Sequence, residues 1–445
     1  MEGRQIMTQD NISLSRRHML LGLGTVGVAS AGAGLGTTAY FSDTESFADN
    51  MLTAGELNLY VHVDYSEDQG SYAQYDINTV VNGNTVGADV DGEPIRIEVD
   101  DLKPGDSGEG TFCFSLVNNP GYLWLCGHLT ANDQNGTTDP EESTLLDMFG
   151  EVPEEGQLAD AMEVSLSYCT VDEESTTVGD EIVSGSLAEV MLALRNGVPL
   201  YGDGNDDGSV ANRPVFEGVD SYEETAEQCI CLHWIVPTTV GNEIQTDSVV
   251  FDFEVYAEQA RHNDGATNPC VTSREGESFA KGEDELAEPS WHARGIFGDG
   301  GGAANRELDI RDADDTPIHS GNENVAWPNG EAVPFSLTID DGDAKWDVNG
   351  SEVTVANAPL PVADGVGVTV KASTPDATIL VEDVRLNGTV PSGPDSVSAD
   401  GSVGESNYIM LEGATLQEGD VVSGLVTLSW SSTPNREGLG FRIDV

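Results

Sequence analysis

Lysine is nearly absent. Lys103, Lys281, Lys345 and Lys371 are the only four in 445 residues. Lys and Arg together number 18 against 79 Asp and Glu, a net charge of −61. Such a chain has too little positive charge to neutralise phosphates, which argues against nucleic acid and anionic membrane surfaces as partners. No His-Glu-x-x-His and no Gly-x-Ser-x-Gly occurs. The metalloprotease helix and the nucleophile elbow are therefore both missing. Acidic pairs are too common here to mark a glycosidase. Cysteine is absent from the C-terminal third: all six lie between residues 113 and 270. Strongly apolar runs are missing too. The one long weakly apolar stretch, residues 22–38, is built from Gly, Ala and Thr more than from Leu.

The acidity is spread through loops along the whole chain. A solvated acidic surface suits multimolar salt, where the Debye length falls below about 3 Å and self-repulsion is screened. Acidic disorder is the competing reading. The 38% hydrophobic residues and repeated alternating runs supply cores instead. The composition points to a halophilic, archaeal, secreted protein.

Residues 1–39 read as an export signal. Ser15-Arg16-Arg17 precedes the apolar stretch, and the small residues Thr37-Thr38-Ala39 offer a cleavage site at Ala39. Paired arginines ahead of a Gly/Ala-rich segment fit twin-arginine export. A transmembrane anchor is the alternative. Gly and Ala add little transfer energy, so no stable membrane anchor is expected after cleavage. An even number of cysteines in an exported chain predicts disulfides among Cys113, Cys126, Cys169, Cys229, Cys231 and Cys270, with 15 possible connectivities.

Period-two patterns recur. Leu57, Leu59, Val61 and Val63 alternate with polar residues, as do Ile95, Ile97 and Val99, and Val249, Phe251, Phe253 and Val255. Pro104-Gly105-Asp106 is a turn by its chemistry. Residues 140–160 and 185–196 read as short helices, the second capped by Ser186. Residues 261–304 turn polar and read as a linker, with Cys270 tying its start to the first domain. Short strands return over residues 305–445, predicting a second sandwich. No sorting-like or apolar terminus follows, so a C-terminal anchor is not expected. The expected fold is all-β: a sandwich with short helical insertions over residues 40–260, and a second, C-terminal β-sandwich.

Residues Ala39-Tyr40-Phe41-Ser42-Asp43-Thr44-Glu45, with Asn50 and Thr53-Ala54-Gly55-Glu56-Leu57-Asn58-Leu59, resemble the start of the TasA/camelysin family of secreted proteins carrying the SipW-type signal. Leu102-Lys103-Pro104-Gly105-Asp106-Ser107 gives a second match. The resemblance implies that the first sandwich is jelly-roll-like, with a structural role in extracellular fibres, matrix or surface layer. It also implies assembly by donor-strand complementation, in which residues 40–59 complete a neighbour's sheet, with Tyr40, Phe41, Leu57 and Leu59 as the donor residues. Relatives described as metallopeptidases imply a less favoured enzymatic reading. Residues 345–348, 381–388 and 423–441 loosely resemble the choice-of-anchor sandwiches of secreted prokaryotic proteins. Self-association or a cell-surface polymer is the expected partner, at the cell surface or outside the cell.

Four local motifs complete the reading. Asp203, Asn205 and Asp207 alternate ahead of Gly208 like the first half of a calcium loop, but Pro214 occupies the twelfth position. No cofactor beyond calcium is expected. Cys126 with His128, and Cys229 and Cys231 with His233, share strand faces and have metal-ligand chemistry; disulfides are the simpler assignment. Asn135-Gly136-Thr137, Asn349-Gly350-Ser351 and Asn387-Gly388-Thr389 are glycosylation sequons on predicted turns. Trp291, Trp327 and Trp346 are either core residues or a sugar-stacking platform, the latter supporting a carbohydrate- or partner-binding module.

Overall fold

The computed structural model describes residues 42–46, 57–70, 74–82, 102–172, 175–277, 291–298, 307–314, 316–318, 323–340, 342–359, 365–404, 406–434 and 438–445. The strand expected around Ile95–Val99 lies outside them. The fold is all-β, as expected, with three short helices among the described residues.

The first sandwich contains β1 (Ser42–Ser46), β2 (Asn58–Asp68), β3 (Gln74–Asn82), β4 (Ser107–Val117) and β5 (Gly121–Asp133), then α1 (Asp139–Phe149) and α2 (Leu158–Ala161). β6 (Glu163–Asp172), β7 (Ser175–Ser186), α3 (Leu187–Arg195), β8 (Val198–Leu200), β9 (Gly218–Val219), β10 (Cys229–Ile235) and β11 (Ser248–Gln259) follow. One sheet runs β1-β11-β5-β8 and the other β3-β2-β4-β10-β6-β7, with β9 beside β4. Alternation decides which face each strand buries. Leu59, Val61 and Val63 of β2 meet Phe114 and Leu116 of β4, and Leu123 and Leu125 of β5 close the core from the other sheet.

Turn and cap chemistry shape the connections. At the Pro104-Gly105 turn, Gly105 has φ 101° and Lys103 N donates to Asp106 Oδ2 at 2.7 Å. Both longer helices carry capping boxes. Thr138 and Glu141 cap α1, and Ser186 and Glu189 cap α3. The buried side of α3, with Leu187, Val190, Met191 and Leu194, packs into the first core.

The second sandwich contains β12 (Thr267–Glu277), β13 (Trp291–Phe297), β14 (Glu307–Asp312), β15 (Glu323–Asn324), β16 (Ala332–Asp340), β17 (Asp343–Val348) and β18 (Ser351–Val355). It continues with β19 (Gly365–Ala372), β20 (Ala377–Leu386), β21 (Val390–Ser392), β22 (Val397–Asp400), β23 (Ser406–Glu412), β24 (Val421–Trp430) and β25 (Leu439–Asp444). Its sheets run β15-β14-β13-β25-β19-β23-β12-β21 and β18-β17-β16-β24-β20-β22. The linker reading of residues 261–304 is corrected here. β12 and β13 both lie in this stretch and both belong to the eight-stranded sheet. Buried polar residues, Asn268 and Ser273 in β12 and His292 in β13, break the apolar alternation in the sequence. β13 buries Trp291, Ala293 and Phe297.

Residues 41–445 form one compact unit, and a buried polar cluster joins its sandwiches. Asn196, just after α3, donates from Nδ2 to Thr415 O at 3.0 Å and to Asp420 Oδ2 at 2.8 Å. Asn268 of β12 donates to Asn196 O at 2.8 Å and to Thr389 Oγ1 at 3.1 Å. Burial pushes the Asp420 carboxyl above its ordinary range, against the hydrogen bonds that favour its charge. Gly197, at φ +80°, is required here: a Cβ would lie 2.4 Å from Asn268 Oδ1. The Cys126–Cys270 disulfide spans the same junction, from β5 to β12.

Candidate functional site: an open sheet edge and a disulfide face

β11 is paired unequally on its two sides. Its whole length pairs with β5, with a bulge between Val250 and Phe251. On its other side β1 pairs only with Glu254 to Glu258, from Ser46↔Glu254 to Ser42↔Glu258. Among the described residues, no strand lies against the outer side of Ser248 to Phe253. Burial follows this division. Val255 and Ala257, behind β1, are 3% and 0% exposed, whereas Val249, Phe251 and Phe253 are only partly buried. An apolar gap of about 20 Å³ lies between the sheets, lined by Phe112, Phe114, Leu125, Ile230, Phe253 and Val255. The bulge sits at the uncovered half, where it re-aims the strand.

The approach to this edge is rigid. Asp247 Oδ2 accepts from the backbone nitrogens of Gln157 and Leu158, at 2.5 and 3.1 Å, and so fastens the start of α2. Burial, opposed by those bonds and assisted by nearby Glu141, pushes this carboxyl up to about 6. Thr138 and Glu141 of the α1 cap hydrogen-bond Gln245 and Thr246. Beyond its cap, α1 leaves Leu146, Met148 and Phe149 about half exposed.

Arg16, Arg17, Ala39, Tyr40 and Phe41 lie outside the described residues. Leu57 and Leu59 lie within them and need correction as donor residues. They are 4% and 0% exposed in the core of their own sandwich, where β2 is an interior strand between β3 and β4. Releasing them would open that core, so a donor segment has to end before Leu57.

The cysteines pair as Cys113–Cys229, Cys126–Cys270 and Cys169–Cys231. Cys113 and Cys169 both stand opposite Cys229, on β4 and β6 respectively, so four sulfurs share one outer sheet face. With every cysteine oxidised, the Cys/His metal reading has no thiolate to offer. Three disulfides fit an oxidising, extracellular environment. No helix among the described residues is long and apolar enough to cross a membrane.

The aspartate loop spends its oxygens on its own backbone. Asp203 Oδ1 accepts from Asn205 N at 3.1 Å, and Asp207 Oδ1 accepts from Ser209 N at 2.9 Å. Asp206 Oδ1 likewise accepts from Gly208 N at 2.7 Å, so Asp203, Asp206 and Asp207 form Asx turns. Among the described residues, no three His, Cys, Asp or Glu side chains gather as a metal site. The loop is held instead by Arg213, 2% exposed. Its guanidinium donates to the carbonyls of Leu200, Val210, Gly265 and Leu123 and lies 4.7 Å from the Trp124 ring centroid. Burial lowers its pKa to about 10, which leaves it charged at neutral pH.

One pairing escaped the sequence reading. His62 Nε2 lies 3.0 Å from Ser115 Oγ and 2.8 Å from Tyr222 O. The pair has the residues of a nucleophile and base, but not their arrangement. The Tyr222 carbonyl can only accept, so Nε2 carries the proton and cannot take one from serine. Ser115, fully buried, donates to Glu224 O at 2.5 Å. The two side chains are a clasp that holds residues 222–224 over β2 and β4. Two strands 53 residues apart supply them, and no local motif marks that meeting.

Trp291, Trp327 and Trp346 are 1%, 7% and 0% exposed, so they are core and not a sugar platform. No known family model matches the chain, and no curated protein is detectably similar to it.

Proposed function

We propose that this protein is a non-catalytic subunit of an extracellular or cell-surface assembly, and that copies join by strand exchange at the outer edge of β11. The observation that carries the reading is the half-covered β11: among the described residues β1 pairs only with Glu254 to Glu258, and Phe253, beside the unpaired half, lines an apolar gap. A strand added there gains main-chain hydrogen bonds and pockets for alternate side chains. β1 itself reads Ser-Asp-Thr-Glu-Ser, with no apolar residue to anchor it. Its aromatic neighbours in sequence, Tyr40, Phe41 and Phe47, are the residues a donor segment would bring. Such an interface is head-to-tail, and repetition generates an open filament. Export by the twin-arginine route and a halophilic setting complete the reading; three disulfides and the net charge of −61 support them.

The test is a crosslink between register partners. The double variant Ser46→Cys/Glu254→Cys is oxidised in multimolar salt, and the products are separated without reductant. Strand exchange yields a ladder of multimers. Monomer alone means that each chain keeps its own β1, and the proposal fails.

A further inference from the structure

We infer that Asn349 carries an N-linked glycan and that the other two sequons stay bare, because only Asn349 offers its amide in the folded protein. The inference rests on the folded-export reading, under which the chain meets any glycosyl donor after folding.

The three sequons differ in what their asparagines are doing. Asn135 is exposed, but its Nδ2 is fully committed. It donates to Ser248 Oγ at 2.8 Å and to Thr246 O at 3.1 Å, using both of its hydrogens. Those bonds fasten the end of β5 to the start of β11. Asn387 is engaged at both ends. Nδ2 donates to Asp420 Oδ1 at 2.6 Å, and Oδ1 accepts from Val421 N at 2.8 Å. Its sequon hydroxyl is closed off as well. Thr389 is 2% exposed and donates from Oγ1 to Leu386 O at 2.6 Å within the cluster joining the sandwiches. Presenting Asn387 to a transferase would mean opening that cluster.

Asn349 is placed differently. Asn349 and Gly350 form the two-residue turn between β17 and β18, with φ 55° and 78°; the other two sequons share this left-handed pair, so what differs is the hydrogen bonding of the asparagine. Both are exposed. Nδ2 makes one long hydrogen bond, 3.3 Å to the Ala326 carbonyl, against the 2.6 Å bond to a buried carboxylate that holds Asn387. A loop tip on a rigid hairpin is what a transferase acting on a folded substrate can grip.

The co-reactant is a lipid-linked oligosaccharide, and the catalyst is a membrane-bound oligosaccharyl transferase. The Asn349 Nδ2–C1 bond forms at the sugar's reducing end. The C1–O bond to the lipid phosphate breaks, the lipid phosphate departs with the bonding pair, and the amide gives up one proton. β18 is an edge strand of the six-stranded sheet. A glycan beside it would shield that edge from stray pairing, while the β11 edge stays available.

The experiment is intact-mass measurement and peptide mapping of the full chain, purified from the medium of the organism that exports it. Expected is a glycan at Asn349, lost in both Asn349→Gln and Ser351→Ala. The second variant keeps the turn asparagine, so it separates loss of the sequon from loss of the fold. A bare Asn349 in the native protein overturns the inference. Occupancy of Asn135 or Asn387 also overturns it, because transfer would then precede folding. Neither result bears on the crosslink ladder, so the two proposals fail separately.

Discussion

The two sandwiches solve the same problem with different means. The second holds itself together with aromatic packing. Trp346 lies 5.9 Å from Phe335 and 5.5 Å from Phe441, ring centroid to centroid, and it contains no disulfide of its own. Its buried charges are matched internally. Asp309, 1% exposed, pairs with Arg294 at 2.5 Å and Arg311 at 2.9 Å. Burial pushes that carboxyl up, but the two guanidinium groups outweigh it and hold it below the ordinary range. The first sandwich has three helices and a long excursion over residues 201–228, and two disulfides lie wholly within it. It leaves part of its β11 core face partly exposed. The first sandwich thus combines covalent ties with a strand half-covered among the described residues, and the second relies on packing and internal ion pairs.

Four measurements test that contrast. Among single substitutions the largest effect is expected from Trp346→Ala, which empties the centre of the self-contained core and removes the Nε1 bond to Arg294 O. It should cost about 3–5 kcal/mol in denaturant unfolding. Phe253→Ala, at the half-open edge, should cost well under that, about 1–2 kcal/mol, because much of its surface already meets water. Equal costs would erase the distinction between a closed and an open core. Next, replacing Cys126 and Cys270 by Ala should destabilise by about 4–5 kcal/mol on the loop-entropy argument. Replacing Cys169 and Cys231, whose loop is shorter, should cost roughly 0.7 kcal/mol less. The reverse order would mean that native packing, not loop length, sets the value of each bridge.

The smaller effects are in pH dependence, and both sit in the first sandwich. Asp247 titrates at about 6 when folded against 3.8 as the reference. Between those values the folded state binds more protons, so this group's contribution falls as pH rises through the window. Asp247→Asn should therefore gain stability relative to the parent above pH 6, and the gain should vanish below pH 4. His62 works in the other direction. Burial lowers its pKa below 6.5, so its stabilising contribution is present above 6.5 and is lost as pH falls through the folded value. His62→Gln should flatten that acid-side loss in a melting-temperature series. A parent and variant with identical pH profiles would remove the clasp from the account.

Much of this was legible in the sequence because it follows from period and chemistry. The alternation at Val249–Val255 is β11, the Ser186 cap opens α3, and even cysteine counting gave three bridges. The interior position of β2 was not legible. Leu57 and Leu59 look the same whether they fill their own core or a neighbour's, since alternation says only that one face is buried. β12 and β13 were hidden by the polar residues they bury, such as Asn268 and His292, and by the Gly-rich stretch after them. The aspartate loop was ambiguous in the sequence because Asx turns and calcium loops use the same residue types.

By itself, then, the sequence determined the all-β class, an acidic surface and an even set of cysteines. These depend on composition and on neighbours two residues apart. Tertiary structure decided which cysteines pair, that His62 meets Ser115, that Asn387 is locked while Asn349 is open, and that β1 covers only half of β11. Each of those depends on strands brought together across tens to hundreds of residues, where register alone fixes which side chains meet.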